Sequence, residues 1–341
     1  MILVTGGTGL VGSHLLLALV QQQQPVRAIH RTSSDLNEVR KVFRYFSHEA
    51  DALFEKIEWI EANILDIPAL TDAFQGITKV YHAAAYISFN TKHYRKLKKA
   101  NVEGTANIVN FCLANNVTKL CYVSSVATLG SKAGGLIDET TFWNPEAKNS
   151  VYAITKYGAE MEVWRGTQEG LPAVIVHPGI ILGEGHWSSG SGALIARAAK
   201  GLNYAPTGGM GVVDVKDVVH AMIALMDGSF RNDHFILVGE NVTYRTLLTD
   251  LAVRFGKTPP QKKLPRWIML VLSKLDRLSA LLFGTKRKLP KATVRSMYKE
   301  SYYDASKLVK ALDFRFTPYA ATLDRITENY SSGGKESDAT G

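Results

Sequence analysis

Cysteine is nearly missing from this chain: of 341 residues only Cys112 and Cys121 are thiols. Two cysteines cannot build a disulfide framework. That excludes the small stapled scaffolds and points to a reducing compartment, with both thiols expected as small apolar core residues. Long uncharged apolar runs are missing too, so no membrane-spanning helix is expected. The opening Met1-Ile2-Leu3-Val4-Thr5 has no basic segment before its apolar residues, unlike a secretory signal. A soluble, cytoplasmic protein is the expectation. No internal repeat is present, and a 46% hydrophobic, 21% charged composition excludes disorder or coiled coil for the bulk of the chain. His82, His177 and His186 stand at spacings that match no zinc pattern, so no metal is expected. Acids are scarce in one region. Residues 254–299 carry 13 Lys or Arg against Asp276 alone, a local charge of +12 in a chain whose total is +9. No nucleic-acid recognition motif accompanies that charge, so no nucleic acid is expected as a partner.

What is present alternates. Short β-branched or apolar runs occupy residues 1–5, 26–30, 57–61, 78–82, 119–124 and 172–177. Between them lie helical periodicities over 10–21, 70–74, 100–113 and 152–165. This alternation predicts an α/β fold, a Rossmann-type doubly wound parallel sheet with right-handed crossovers. Runs as continuously apolar as Ala173-Val174-Ile175-Val176 suit a sheet covered on both faces. After residue 178 the texture shifts to Gly- and Ser-punctuated segments. The expected organisation is a dinucleotide-binding domain over 1–178, with some later segments returning to it. A smaller C-terminal substrate lobe follows over 179–330, and then a disordered tail over 331–341, which has no apolar anchor.

The first strand runs into Thr5-Gly6-Gly7-Thr8-Gly9-Leu10-Val11-Gly12, which opens a helix. Glycines at 6, 9 and 12 allow a tight turn and close backbone approach to a pyrophosphate lying at the helix N-terminus. At the end of the second strand, an NAD site usually places an acid for the ribose hydroxyls. Here the sequence is His30-Arg31-Thr32-Ser33, with no acid. A guanidinium at Arg31 can pair with a 2′-phosphate, which favours NADP, with NAD the alternative.

Further motifs follow in order: Asn63-Ile64-Leu65-Asp66, His82-Ala83-Ala84-Ala85, Asn101-Val102-Glu103-Gly104-Thr105, Tyr122-Val123-Ser124-Ser125, Tyr152-Ala153-Ile154-Thr155-Lys156, His177-Pro178-Gly179-Ile180-Ile181-Leu182-Gly183 and Val213-Asp214-Val215-Lys216-Asp217-Val218. With the glycine loop, the series resembles the extended short-chain dehydrogenase/reductase (NAD-dependent epimerase/dehydratase) family over roughly residues 1–240. Within that family it looks most like dihydroflavonol-reductase-like and hydroxysteroid-dehydrogenase-like members. The resemblance implies cofactor contacts from Gly6, Thr8, Gly9, Leu10, Val11, Gly12, Arg31, Asn63, Ile64, Ala83, Ala84, Ala85, Tyr152, Lys156, Pro178, Gly179, Ile181 and Ser189. Asn63 departs from the acid the family commonly has there, which alters the adenine contact, although an amide can still hydrogen-bond adenine.

The same resemblance implies a catalytic set of Ser125, Tyr152, Lys156 and Asn101, with Ser125 preferred to Ser124. Tyr152 and Lys156 are four residues apart and share a helix face. An ammonium there is expected to lower the phenol pKa, so that Tyr152 exchanges a proton with a carbonyl or alcohol oxygen. Asn101 is expected either to support a proton relay or hold Lys156 through water, or else to pair with backbone as a buried helix residue. The expected activity is hydride transfer between NADP and a small-molecule ketone, aldehyde or secondary alcohol, with an apolar or aromatic substrate. The alternatives are an NAD-dependent nucleotide-sugar epimerase or dehydratase and a non-catalytic cofactor-sensing protein.

Within the basic region, Trp267-Ile268-Met269-Leu270-Val271-Leu272 and then Leu275, Leu278, Leu281, Leu282 and Phe283 form an apolar pattern interrupted by Lys274, Asp276 and Arg277. It reads as a lobe-packing helix, a lid, or a weak contact with an anionic membrane surface. Tyr86, Phe89 and Tyr94 are candidates to line a pocket or to pack in the core. A homodimer through residues 91–115 and 152–165 is a further expectation, drawn from the resemblance alone.

Overall fold

The strand–helix alternation folds into a parallel sheet, as the pattern of apolar runs predicts. In the computed structural model, residues 1–132, 134–282, 287 and 289–338 are described. The strands are β1 (Ile2–Thr5), β2 (Val26–His30), β3 (Glu58–Glu61), β4 (Lys79–His82), β5 (Lys119–Val123), β6 (Ala173–Pro178), β7 (Ile180–Leu182), β8 (Tyr204–Ala205), β9 (Gly209–Asp214), β10 (Asp233–Leu237), β11 (Glu240–Thr243) and β12 (Lys262–Lys263). Seven of them form one sheet in the order β10-β6-β5-β4-β1-β2-β3, every pair parallel. The order reverses at β1, with Thr5 opposite His82 at the β1–β4 step. The crevice beyond the carboxyl ends of these two strands is where open α/β sheets collect ligands.

Burial on both faces explains the continuous apolar runs. One core packs Leu15, Leu16, Leu19 and Phe43 with Val4 and Val176 on one side of the sheet. Another packs Leu70, Phe74, Ile108 and Val163 with Leu3 and Ile175 on the other. Residues after 178 form a three-stranded sheet, β11-β9-β7, and a third core around Leu247, Leu251, Leu323 and Ile326. β10 leaves this region and joins the edge of the main sheet, with Phe235 opposite Val176.

The final helix, Tyr319–Asp338, is anchored by Leu323 and Ile326 in the third core. Its Arg325 guanidinium donates to Glu184 Oε1 at 2.7 Å and to Asp214 Oδ1 at 2.9 Å, and Thr322 donates to Asp214 Oδ2 at 2.8 Å. Against the opposing effect of burial, His14 and Arg325 together hold the Glu184 carboxyl down at about 2. The helix assignment runs through residues 331–338, where a tail was expected, with Ser331 Oγ donating to the Thr327 carbonyl at 2.8 Å. Adding turns to a nucleated, anchored helix is cheap even where the sequence supplies no apolar contact. Residues 339–341 of that expected tail, and Phe283 of the apolar pattern, lie outside the described residues. Among the described residues no helix is long and apolar enough to cross a membrane.

Candidate active site

The glycine loop is shaped by close backbone approach. Gly6 has φ +71°, and a Cβ there would lie 2.6 Å from the Ala84 amide nitrogen. A Cβ on Gly12 would lie 2.1 Å from the Gly6 carbonyl oxygen. That carbonyl accepts from the Gly9 amide at 2.9 Å and closes the turn through Thr8. Ala83 and Ala84 abut the loop, donating to the Thr5 carbonyl at 3.2 Å and to Thr5 Oγ1 at 3.3 Å, and Ala85 follows them, exposed. The helix Leu10–Gln21 starts at Gly9 with no capping side chain. The first amides of the helix, at Leu10, Val11 and Gly12, are therefore left for an anion at its positive end. This uncapped, close-packed cradle fits a dinucleotide pyrophosphate.

Arg31 is exposed just past β2, and no carboxylate among the described residues pairs with its guanidinium. The neighbouring acid, Glu61, instead accepts from Thr32 Oγ1 at 2.7 Å. Asn63 is exposed at the end of β3, its Oδ1 accepting from the Leu65 amide at 3.1 Å. Ile64 presses on Gly104, where a Cβ would meet its Cδ1 at 2.5 Å. Pro178 ends β6, and Gly179 lies so close to Gly211 that a Cβ would stand 2.5 Å from its carbonyl oxygen. Ile181 accepts a 2.5 Å bond from Ser191, and Ser189 heads the helix Gly190–Ala199 without capping it.

β5 delivers two serines to opposite surroundings. Ser124 is buried and donates to Glu160 Oε2 at 2.6 Å, an acceptor it shares with Thr128 at 2.8 Å. Ser125 instead lines the open cleft together with Tyr152. Tyr152 comes from the helix Val151–Gln168, started by Ser150, whose Oγ accepts from the Ala153 amide at 3.1 Å.

The Tyr152–Lys156 relation differs from the expectation. Lys156 shares the helix face but turns inward, donating to the Tyr122 hydroxyl at 2.6 Å and the Val123 carbonyl at 2.8 Å. Tyr152 is therefore not lowered. Burial pushes it up to about 12, offset only in part by Ser125. Burial also pulls Lys156 down to about 7, against the attraction of Glu160. Spacing on a helix fixes a shared face, but local acceptors decide where a four-carbon stem ends.

Asn101 sits in a π-helical turn, Lys98–Glu103. Its Oδ1 accepts from the Tyr86 amide at 2.7 Å, and its Nδ2 donates to the Tyr86 carbonyl at 3.0 Å and to Thr155 Oγ1 at 3.2 Å. These contacts fasten the segment after β4 to the Tyr152 helix. The two bonds to Tyr86 are the backbone pairing of a buried helix residue.

Sequence reasoning missed the partner of Lys156. Tyr122 is fully buried inside a quoted motif, and its strand position hid its hydroxyl. His82 sits beside it, bonded to Thr5 at 2.6 Å and Thr105 at 2.9 Å and kept neutral by burial at about 3. The His82 and Tyr122 rings lie tilted together, 5.4 Å between centroids. His82 thus stands between the strand carrying the glycine loop and the tyrosine that holds Lys156.

The cleft in front of Ser125 and Tyr152 has a volume of about 770 Å³ and is walled by Phe89, Leu194, Met210 and Tyr303. Phe89 stands edge-on to the Tyr152 ring at 5.6 Å between centroids. No Asp or Glu among the described residues lines it, whereas Arg197, Arg287 and Arg295 do. Arg295 is anchored to the Lys148 carbonyl at 2.8 Å. A neighbouring cavity of about 570 Å³ shares Phe89, Arg287, Pro290 and Ala292 with the cleft, and the helix Arg266–Leu282 lines its far side.

Comparison with known proteins matches residues 2–239 to the family described as NAD dependent epimerase/dehydratase. A protein of Synechocystis sp. named dihydroflavonol 4-reductase is 30% identical over 319 residues, covering 91% of this chain and 88% of its own. Sterol demethylase protein B of Methylococcus capsulatus is 28% identical over 269 residues, 78% of each chain. The crystal structure of gox2253 superposes with a TM-score of 0.80 at 27% identity, covering 98% of both chains.

Proposed function

The chain belongs to the NAD dependent epimerase/dehydratase family, and on that premise we propose that it is an NADP-dependent oxidoreductase interconverting an apolar ketone or aldehyde and its alcohol. The observation that carries this reading is the pairing of Ser125 and Tyr152 on the wall of a largely apolar cleft. The relatives named as a dihydroflavonol reductase and a sterol demethylase component support it. The unpaired Arg31 guanidinium supports NADP over NAD.

The amides of Leu10, Val11 and Gly12 would hold the pyrophosphate, and Arg31 the 2′-phosphate. The nicotinamide, when bound, gives a hydride to the carbonyl carbon or takes one from the alcohol carbon. Ser125 holds the substrate oxygen. In reduction, the Tyr152 O–H bond breaks and its proton passes to that oxygen as the new C–H bond forms, leaving an alcohol and a tyrosinate. With a pKa of about 12, Tyr152 is protonated throughout the neutral range. Reduction is therefore expected to be level across neutral pH. Oxidation, which needs tyrosinate, is expected to rise with pH.

The test is consumption of NADPH and NADH by the purified protein with a panel of apolar ketones and aldehydes, alongside UDP-glucose. Expected are net NADPH oxidation with a simple carbonyl and a kcat at least about 100-fold lower in Tyr152→Phe with NADPH binding kept. Conversion of the nucleotide sugar without net NADPH oxidation, or normal turnover by Tyr152→Phe, would overturn the reading.

A further inference from the structure

The helix Arg266–Leu282 carries an apolar face that the rest of the molecule leaves uncovered. Trp267, Val271, Leu275, Leu278, Leu281 and Leu282 are all exposed, Trp267 at 67% and Leu281 at 73%. At about 100° per residue they fall within roughly one third of the helix circumference. The opposite side is the one that packs: Met269 and Ser273 are buried, and Ser273 and Ala280 line the smaller cavity, whose rim Lys274, Arg277 and Leu281 also reach. Seven of the large apolar side chains exposed on the described surface belong to this helix, counting Leu272. No other element of the described surface carries more than two of the exposed large apolar side chains.

The charge around the face has one sign. Lys262, Lys263, Arg266, Lys274 and Arg277 are exposed on the helix or on its approach. Lys274 stands within the apolar arc, where a four-carbon stem can lie along the apolar surface and lift its ammonium to the headgroups. The one acid of the helix, Asp276, is turned to the protein, where it accepts from the Leu289 amide at 3.1 Å and pairs with Arg287 at 3.5 Å. An apolar face bordered by cations, with its acid neutralised inward, is complementary to an anionic lipid interface, where apolar side chains enter the acyl boundary and cations meet phosphates. A second copy of this chain would bring the same +12 region against itself, which like-charge repulsion opposes.

We propose that the helix Arg266–Leu282 docks this protein on the surface of an anionic phospholipid bilayer, lying in the interfacial layer with Trp267, Leu275 and Leu278 inserted. The docked face is one wall away from the cavity that adjoins the Ser125–Tyr152 cleft. An apolar substrate dissolved in the same interface would therefore have a short route to the site. That last step rests on the proposed function above; the docking does not.

Sedimentation with phosphatidylcholine vesicles, with and without one third phosphatidylglycerol, tests the docking on the intact protein without any substrate. Expected are binding to the anionic vesicles that weakens with salt, and a blue shift in Trp emission that Trp267→Phe removes. Leu275→Glu with Leu278→Glu is expected to abolish binding. Both sites are exposed, so an unchanged circular dichroism spectrum and melting temperature would show that the fold is kept. Lys274→Glu with Arg277→Glu is expected to lower affinity at least about 25-fold, at about fivefold per cation. Four results would overturn the proposal: no binding to either vesicle, equal binding by the leucine variant, equal affinity for neutral and anionic vesicles, or a wild-type dimer in light scattering that the leucine variant dissociates. The last would assign the face to a second copy. Failure of the carbonyl screen with vesicle binding intact would sink the proposed function and leave the docking standing.

Discussion

Lys156 offers a quantitative test of the site. It is 2% exposed, and burial takes its ammonium from 10.5 to about 7. The unfolded chain keeps this proton up to 10.5, whereas the folded chain gives it up near 7. Between those values the unfolded state binds more protons, so this group makes stability rise with pH and reach its full effect above 10.5. The whole difference is worth about 5 kcal/mol at about 1.4 kcal/mol per pH unit, of which about 2 kcal/mol falls between pH 7 and 9. Urea unfolding of wild type and Lys156→Met at both pH values isolates the contribution, since every other titrating group is common to the two. Wild type is expected to gain about 2 kcal/mol more than the variant over this interval, with m-values unchanged. A pH dependence equal in both proteins would mean that Lys156 keeps an ordinary lysine pKa, and would refute the argument from burial.

Three other substitutions probe separate parts of the molecule. Arg31→Ala is expected to weaken NADPH binding at least about tenfold while leaving NADH unchanged, as a lost charge-assisted hydrogen bond would. Fluorescence titration with both cofactors checks it, and an equal loss for both would remove Arg31 from the 2′-phosphate. Gly12→Ala places a methyl 2.1 Å from the Gly6 carbonyl oxygen. It is expected to cost at least about 1–3 kcal/mol of stability and to abolish cofactor binding, read by melting temperature and titration. Arg325→Met leaves Glu184 and Asp214 buried without their cation and is expected to destabilise by about 3–5 kcal/mol. Wild type should lose the Glu184 contribution as pH falls from about 4.5 toward 2, a loss the variant should show far less in acid titration.

The parts legible in the sequence are those where one physical demand governs a whole segment. β1 and β6 lie between two packed faces, so Ile2-Leu3-Val4 and Ala173-Val174-Ile175-Val176 read as strands without help from alternation. Gly6 and Gly12 are legible because no other residue fits where a Cβ would strike backbone. Ser125 was distinguishable from Ser124 by motif position, and the structure puts Ser125 on the cleft and Ser124 against Glu160. Less legible were features that depend on a distant partner. The direction of Lys156 is set by Tyr122 and Val123, 34 and 33 residues away along the chain. The return of β10 to the main sheet depends on an open edge at β6 that residues 233–237 do not advertise. The extension of the last helix past Ser331 depends on anchors at Leu323 and Ile326 rather than on anything in the Ser-Ser-Gly-Gly segment itself.

The Arg325 clamp has a consequence for how the molecule comes into being. The pyrophosphate cradle, at residues 5–12, is synthesised before the substrate lobe. Glu184 and Asp214 must then wait more than 100 residues for the guanidinium that neutralises them. Until it arrives, closing the substrate lobe would strand two carboxylates in a dry interior. A protein cut short before residue 325 is expected to keep every residue of the cradle and to leave Glu184 and Asp214 without their guanidinium.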